Sequence, residues 1–96
     1  MLLVVAYDVN TSDEKGNKRL NRISKICKKY GQRVQDSLFE CYIDYSKCME
    51  LKNLLEKEID KEKDSIRLYF VGNKYENKVI YLGKDKLTNL KDSLIF

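Results

Sequence analysis

The sequence predicts an α+β sandwich in which two helices cover one face of an antiparallel sheet. Two observations carry this prediction. Apolar segments with the composition of buried strands open the chain and recur near residue 65, and two segments with helical periodicity lie between strand-like segments. With 96 residues, 43% hydrophobic and 35% charged, the chain has the composition of one small globular domain, residues 1–96. It contains no proline and no linker-like tract, so no domain boundary is predicted.

The first third of the chain predicts a strand, a loop and a helix. Residues 2–8 are nearly all apolar and end at Asp8, which is typical of a buried central strand. Residues 9–16 are polar turn formers and predict a loop. Residues 17–30 carry apolar side chains on one helical arc and basic side chains opposite, so they predict an amphipathic helix. Gly31 is expected to end this helix in the left-handed conformation.

The remaining elements follow from the same patterns. Residues 33–44 are rich in strand-forming residues and predict a second strand, or a short pair of strands. Ser46 is a plausible N-cap for a second amphipathic helix over residues 47–60. Residues 65–72 and 78–82 predict two further strands.

The resulting order, β-α-β-(β)-α-β, indicates a ferredoxin-like βαββαβ sandwich with an extra C-terminal strand. Helices cover only one face of such a sheet, yet residues 2–8 and 65–72 are apolar on both faces. An uncovered apolar patch on the order of several hundred Å² is unusual for a soluble monomer. We therefore expect a twofold dimer with sheet packed on sheet. The apolar tail at residues 94–96 could add a strand to the partner's edge.

Composition excludes several kinds of chemistry. The chain has no histidine, which removes Ser-His-Asp and Cys-His catalysis and histidine-ligated zinc. The three cysteines, at positions 27, 41 and 48, form no C-x-x-C pair and are expected to be reduced thiols that pack as small hydrophobes. No apolar run approaches the roughly 20 residues of a membrane span, and the first residues lack a signal-peptide pattern. We expect a cytoplasmic protein.

Positive charge is concentrated in one segment. Residues 15–33 carry eight basic side chains and no acidic one, so the rest of the chain must be negative, since the whole has a net charge of +4. Such asymmetry is typical of a protein that binds a polyanion, although a solvated helix face is the alternative. The predicted nucleic-acid contacts are Lys18, Arg19, Arg22, Lys25, Lys29 and Arg33.

Asp8 is the strongest candidate for chemistry. It stands at the end of an apolar strand, ahead of a loop and close to the basic helix. One or two carboxylates suffice for Mg²⁺, which completes its coordination with water and phosphate oxygens. In a dimer, two copies of Asp8 could meet across the axis. The alternative is that Asp8 only caps a turn.

Two arginines and two aromatic residues each have a functional and a structural interpretation. Arg19, at the edge of the apolar arc, and Arg33 each offer a planar fork suited to phosphate. Tyr7 and Phe39 could be base-stacking platforms, but both fit the core better.

Several short motifs in the chain resemble one known family. The segments are Tyr7-Asp8-Val9, Lys18-Arg19-Leu20, Tyr30 to Gln35, Ser37-Leu38-Phe39-Glu40 and Asp64-Ser65-Ile66-Arg67. In this order they resemble the small CRISPR-associated endonucleases of the spacer-acquisition machinery, the Cas2 family. The resemblance covers essentially the whole chain, and the G-Q-R-V-Q-x-S-x-F-E block is its most specific part.

The resemblance implies a function and its partners. It implies a ferredoxin-like homodimer with metal-dependent phosphodiesterase activity, in which Asp8 binds Mg²⁺ or Mn²⁺ between subunits. Tyr7, Arg19, Arg33 and Phe39 match further motif positions of the family, so the resemblance implies that they are catalytic residues ranked after Asp8. The resemblance also implies a structural role, in which the protein bridges CRISPR integrase subunits and holds duplex DNA, with RNA as a second possible substrate.

Other functions remain open at this stage. A non-catalytic nucleic-acid scaffold of the same fold would need the basic helix but not Asp8. An RNA-recognition module of this topology would need an aromatic strand motif that the sequence does not supply. A small-ligand regulatory domain would not need the concentrated positive charge.

Overall fold

The strands and helices follow the predicted order along the chain. The structure is a computed structural model that describes residues 1–71 and 78–84. In chain order the elements are β1 (Leu2–Asp8), α1 (Glu14–Tyr30), β2 (Gln32–Gln35), β3 (Leu38–Tyr42), α2 (Tyr45–Glu58), β4 (Ser65–Val71) and β5 (Lys78–Gly83). The strands form one antiparallel sheet in the order β2-β3-β1-β4-β5. The predicted ferredoxin-like sandwich is confirmed, and β5 is its extra strand, beside β4.

The central strand β1 alternates between the two faces of the sheet. Leu3, Val5 and Tyr7 are buried and belong to the core that the helices cover. Val5 lies opposite Phe39 on β3 and Leu68 on β4, so the three strands contribute neighbouring side chains to one apolar layer. Antiparallel pairing puts directly opposed residues on the same face, which makes the layer continuous.

The opposite face of β1 is also apolar, as predicted. Leu2, Val4 and Ala6 are partly exposed and alternate with the buried residues. Val4 lies in register with Glu40 on β3 and Tyr69 on β4, so β1 contributes an apolar strip flanked by longer polar and aromatic side chains. Asp8 continues this strip at its end and is exposed.

α1 ends at Tyr30 as predicted, but its start and the conformation of Gly31 differ from the sequence expectation. The helix begins at Glu14 rather than at residue 17, because the Asp13 carboxylate caps it by accepting a hydrogen bond from the Gly16 N–H at 2.8 Å. The prediction of a left-handed Gly31 was wrong, since φ −163° and ψ −159° are extended. Glycine is required there by close approach instead: a Cβ on Gly31 would overlap the Sγ of Cys41 on β3.

α2 also begins earlier than predicted. Asp44, not Ser46, is the N-cap, and its carboxylate accepts a hydrogen bond from the Lys47 N–H at 2.8 Å. The helix therefore runs from Tyr45 to Glu58 instead of 47–60. Within the described residues neither helix combines the length and the apolar character that crossing a bilayer requires.

For residues 33–44 the sequence predicted either one strand or a short pair of strands, and the structure has the pair. β2 and β3 are joined by a tight turn at Asp36 and Ser37, and their register shifts between Arg33 and Gln35. β2 is the edge strand and all four of its residues are exposed. The predicted tail strand at residues 94–96 lies outside the described residues.

Candidate functional site

Asp8 lies where the sequence predicted, at the end of the central strand. It pairs with Ser65 of β4 in the sheet register and is exposed, whereas its neighbours Tyr7 and Val9 are buried. The strand alternation therefore places the Asp8 carboxylate on the face opposite the helices. Over residues 1–71 and 78–84, no group of three or more Cys, Asp or Glu side chains converges as a metal-binding cluster. Any cation at Asp8 would therefore need ligands beyond those that the described residues of one subunit bring together.

A buried carboxylate, Asp64, anchors the loop that follows Asp8. The Asp64 side chain has no exposed surface and accepts a hydrogen bond from the backbone N–H of Asn10 at 3.0 Å. It also accepts one from the backbone N–H of Asp60 at 2.9 Å, which joins the loop after β1 to the loop before β4. The backbone carbonyl of Asp64 accepts the Lys84 N–H at 2.7 Å, so the end of β5 is held at the same point.

Arg19 supplies the charge that balances Asp64. Its Nε and Nη2 donate to the two carboxylate oxygens at 2.8 and 3.2 Å, and its side chain is 11% exposed. Burial alone would raise the pKa of Asp64, but the Arg19 guanidinium and the two backbone N–H donors hold that pKa below its usual value. The pair is therefore charged at neutral pH and fixes the position of the Asp8 loop relative to α1.

This placement changes the expected role of Arg19. The sequence predicted a catalytic and phosphate-binding guanidinium, whereas both of its bonding nitrogens are turned inward onto Asp64. Arg19 is buried, so its position favours a supporting role over direct contact with nucleic acid. The sequence indicates Arg19 as a candidate but does not indicate its partner Asp64. One feature of the sequence could have predicted this pair. Arg19 lies at the edge of the apolar arc, where it is expected to be buried, and a buried guanidinium requires an anionic partner.

A second cluster contains three predicted site residues, Tyr7, Arg33 and Phe39, together with Ser24, which was not predicted. The Ser24 hydroxyl on α1 lies 2.8 Å from the Tyr7 hydroxyl and accepts a hydrogen bond from Arg33 Nη2 at 3.0 Å. The Arg33 guanidinium lies 5.4 Å from the centroid of the Phe39 ring, and the Tyr7 and Phe39 rings stack with centroids 6.1 Å apart. The cluster occupies the helix-covered side of the sheet, near the β2 edge.

Within this cluster only Arg33 is exposed. Phe39 has no exposed surface and Tyr7 is 5% exposed, which agrees with the sequence argument that both fit the core. Burial raises the pKa of the Tyr7 phenol above its usual value, although its bond with Ser24 opposes that rise. Tyr7 and Phe39 therefore lie where they can support Arg33, and their positions do not favour direct contact with a substrate.

The predicted nucleic-acid residues on α1 fall into separate groups. Lys18, Lys25 and Lys29 are exposed, and their spacing of seven and four residues places them on one stripe, called here the lysine stripe. Arg22 forms an ion pair with Glu58 on α2 but remains 54% exposed. Arg33 lies apart from this stripe, on the edge strand β2.

The three cysteines are free and buried, which confirms the expectation that they pack as small hydrophobes. Burial raises the pKa of Cys27 to about 12 and that of Cys41 to about 11. Since the thiolate is the reactive form, these thiols are inert at neutral pH.

Comparison with known proteins decides the family. Residues 1–79 match the family described as CRISPR associated protein Cas2. The chain belongs to this family. It is 48% identical over 96 residues to the CRISPR-associated endonuclease Cas2 of Halalkalibacterium halodurans, and the match covers 100% of both chains. It is also 48% identical over 83 residues to the CRISPR-associated endoribonuclease Cas2 of Nitratidesulfovibrio vulgaris, covering 86% of this chain and 81% of that protein.

A solved structure agrees with the fold. The crystal structure of Streptococcus pyogenes Cas2 superimposes with a TM-score of 0.71 at 44% sequence identity, and the match covers 78% of this chain and 90% of that one. The family resemblance that the sequence motifs indicated is therefore confirmed, together with the α+β architecture.

Proposed function

We propose that the protein is a metal-dependent endonuclease of CRISPR adaptation that hydrolyses phosphodiester bonds in RNA or DNA. The observation that carries this proposal is the exposed carboxylate of Asp8 at the end of the central strand, on the sheet face opposite the helices. The names of the relatives, endonuclease in one case and endoribonuclease in the other, support the same class of reaction.

The active form in this proposal is a twofold homodimer. The strip of Leu2, Val4 and Ala6 is only partly covered, and packing it against a second copy would remove apolar surface from water. Asp8 continues this strip at the strand end. A face-to-face dimer would therefore bring the ends of two β1 strands near the symmetry axis, with one Asp8 from each chain.

Two facing Asp8 carboxylates suit Mg²⁺ or Mn²⁺. These hard cations prefer oxygen ligands, and Mg²⁺ binds through one or two carboxylates with water and substrate phosphate completing the coordination. When bound, such an ion supplies an activated water and polarises a phosphoryl oxygen. The protein residues fix the two carboxylates: Asp64 and Arg19 hold the loop after Asp8, so the carboxylate starts from a defined position.

Basic side chains would hold the nucleic acid during the reaction. The lysine stripe presents three ammonium groups along one line of α1, which suits the repeating charge of a phosphate backbone. Arg33 adds a planar guanidinium on the β2 edge that can bind phosphate through two N–H groups. Arg22 is exposed enough to contribute, but it must share its charge with Glu58.

The same surfaces fit a second role in the adaptation complex. We also propose that the protein, as a member of this family, bridges CRISPR integrase subunits and holds duplex DNA between them. Such a role places the protein in the cytoplasm, and three reduced, buried thiols agree with that compartment.

Replacing Asp8 with Asn tests the nuclease proposal. The substitution is nearly isosteric and removes the charge that the cation needs, so metal-dependent cleavage of matched RNA and DNA substrates should fall at least about a hundredfold. Binding of the same substrates should change little. Asp44→Asn is the matched control, because Asn caps a helix as well as Asp does and the residue lies at the start of α2. Full cleavage by a nuclease-free Asp8→Asn preparation would refute the proposal.

The alternative is a non-catalytic nucleic-acid scaffold. It is favoured by one observation: in the part of the chain that the structure describes, a single subunit assembles no acidic cluster around Asp8. On this account the lysine stripe and Arg33 bind duplex DNA, and Asp8 has no chemical role. Wild-type protein that binds duplex DNA but cleaves neither RNA nor DNA with Mg²⁺ or Mn²⁺ would support the scaffold.

A further inference from the structure

Ser24 occupies a central position in the second cluster, because its hydroxyl bonds to both Arg33 and Tyr7. Arg33 Nη2 can only donate, so the Ser24 hydroxyl oxygen accepts from it at 3.0 Å. At the other end, the Asp36 carbonyl can only accept, and the Tyr7 hydroxyl donates to it at 3.3 Å. When the Tyr7 proton is donated to Asp36, the 2.8 Å bond between Ser24 and Tyr7 runs from the Ser24 hydroxyl to the Tyr7 oxygen.

This chain of hydrogen bonds connects four parts of the fold. It starts at Arg33 on β2, passes through Ser24 on α1 and Tyr7 on β1, and ends at Asp36 in the turn between β2 and β3. Each hydroxyl donates once and accepts once, so each bond polarises the next. Because these hydrogen bonds attach both the turn and the edge strand to α1 and β1, they fix the β2–β3 hairpin relative to α1.

The Arg33 side chain is consequently held at two points. Its guanidinium lies against the Phe39 ring at 5.4 Å, and its Nη2 is bound to Ser24. An arginine on an exposed edge strand otherwise samples many rotamers, and ordering it for each contact costs free energy. An arginine that is already oriented avoids that cost when it binds a planar anion.

We infer that Ser24 is a positioning residue that orients the Arg33 guanidinium for contact with a nucleic-acid phosphate. The inference rests on the proposed function, because it assumes that Arg33 binds the phosphate backbone. It predicts that the hydroxyl at position 24, rather than the size of the side chain, determines how well Arg33 works.

The test compares Ser24→Ala with Ser24→Thr in binding and cleavage of one short duplex DNA and one RNA of matched sequence. Ser24→Ala should weaken binding about tenfold, the loss expected for one hydrogen bond to a charged group. KM should rise while kcat changes little, because a phosphate contact of this kind is made equally in the ground state and the transition state. Ser24→Thr keeps the hydroxyl and should restore binding.

A double-mutant cycle with Arg33→Gln shows whether Ser24 acts through Arg33. In the Arg33→Gln background, Ser24→Ala should add almost nothing to the loss. Thermal unfolding of Ser24→Ala should remain close to that of the wild type, because Ala is the better helix former and offsets the lost bond. A binding loss with unchanged unfolding separates positioning from simple destabilisation.

Three results would overturn the inference. Ser24→Ala could bind as well as the wild type while Arg33→Gln binds poorly, or Ser24→Ala could cost the same factor with and without Arg33. Unchanged binding by Arg33→Gln would also overturn it. In that last case the proposed nuclease function is judged separately, by whether cleavage still depends on Asp8. A wild-type protein that neither binds nor cleaves nucleic acid would defeat both proposals together.

Discussion

Asp64 shows how one buried side chain can organise the surroundings of a candidate catalytic residue. It accepts hydrogen bonds from Arg19 and from the backbone of Asn10 and Asp60, so three separate segments depend on a single carboxylate. Asp8 itself lies two residues before Asn10. The fixed loop therefore limits how far the Asp8 carboxylate can move, which is a requirement for any site that must hold a cation.

Replacing Asp64 with Asn should destabilise the protein. The substitution leaves the Arg19 guanidinium buried without its counter-charge, and breaking a buried ion pair from one side typically costs about 3 kcal/mol or more of the free energy of unfolding. Chemical denaturation at neutral pH measures this loss. Asp36→Asn, at an exposed position in the β2–β3 turn, is the control and should unfold like the wild type.

The same substitution should change how stability depends on pH. The folded Asp64 carboxyl has a lowered pKa, so the unfolded chain takes up its proton at a higher pH than the folded one. The stabilisation is present above the unfolded pKa, about 4, and is lost as the pH falls through the folded pKa. As the pH falls through that acidic range, the free energy of unfolding should decrease less for Asp64→Asn than for the wild type. Parallel acid unfolding curves would contradict this assignment.

At the residue scale, the sequence predicted the place of Asp8 but not the partners of Arg19 and Arg33. Asp8 could be located because a strand-end position depends only on neighbouring residues. Arg19 and Asp64 are separated by 45 residues in the chain, and a pairing at that distance has no local pattern. Ser24 was missed for the same reason, since a single serine on a helix flank has no signature of its own.

At the scale of elements, α1 has one face that packs in the core and an opposite face that carries positive charge. Its inner face carries Ile23 and Cys27 into the core, while the lysine stripe lies on the opposite side. Helical periodicity made both faces predictable. The ends of the helix were harder to predict, because the Asp13 cap and the contact of Gly31 with β3 depend on single atoms rather than on a repeating pattern.

The lysine stripe should determine how nucleic-acid binding responds to salt. Each phosphate contact releases counterions, so the slope of log K against log salt concentration changes by about 0.9 per contact on duplex DNA. Replacing Lys18, Lys25 and Lys29 together with Gln should flatten the slope by that amount for each lysine in contact. The control replaces Lys52, Lys57 and Lys61 with Gln, which removes the same charge from α2 and the turn after it. An equal change in both variants would mean that net charge, not the stripe, controls binding.

At the scale of the whole molecule, the two faces of the sheet differ in how well they are covered, and this difference underlies the proposed dimer. One face is buried beneath α1 and α2, and the other carries the partly exposed strip of Leu2, Val4 and Ala6. The order of the predicted strands and helices was sufficient to predict the fold, and the apolar residues on both sides of residues 2–8 predicted this second apolar face. How two copies would pack in the proposed dimer depends on the shape of the entire face, which no single segment of sequence encodes.

A charge in the middle of that strip should prevent dimerisation. In Val4→Lys the new ammonium lies in register with Glu40, so a single subunit tolerates it, whereas two facing copies would bury two like charges. Sedimentation at micromolar concentration should give a dimer for the wild type and a monomer for Val4→Lys. Val34→Lys on the exposed edge strand is the control and should remain dimeric. A wild-type monomer would contradict the proposed assembly.

The most direct test of the account is the activity of purified dimers that carry one intact Asp8 and one Asp8→Asn subunit. If two copies of Asp8 hold one cation, a single remaining carboxylate should not sustain cleavage. Differently tagged subunits allow the mixed dimer to be isolated and assayed with Mg²⁺ and Mn²⁺. The account predicts that mixed dimers are nearly as inactive as dimers in which both subunits carry Asn. Mixed dimers that keep half of the wild-type activity would show that each Asp8 acts alone and would contradict it.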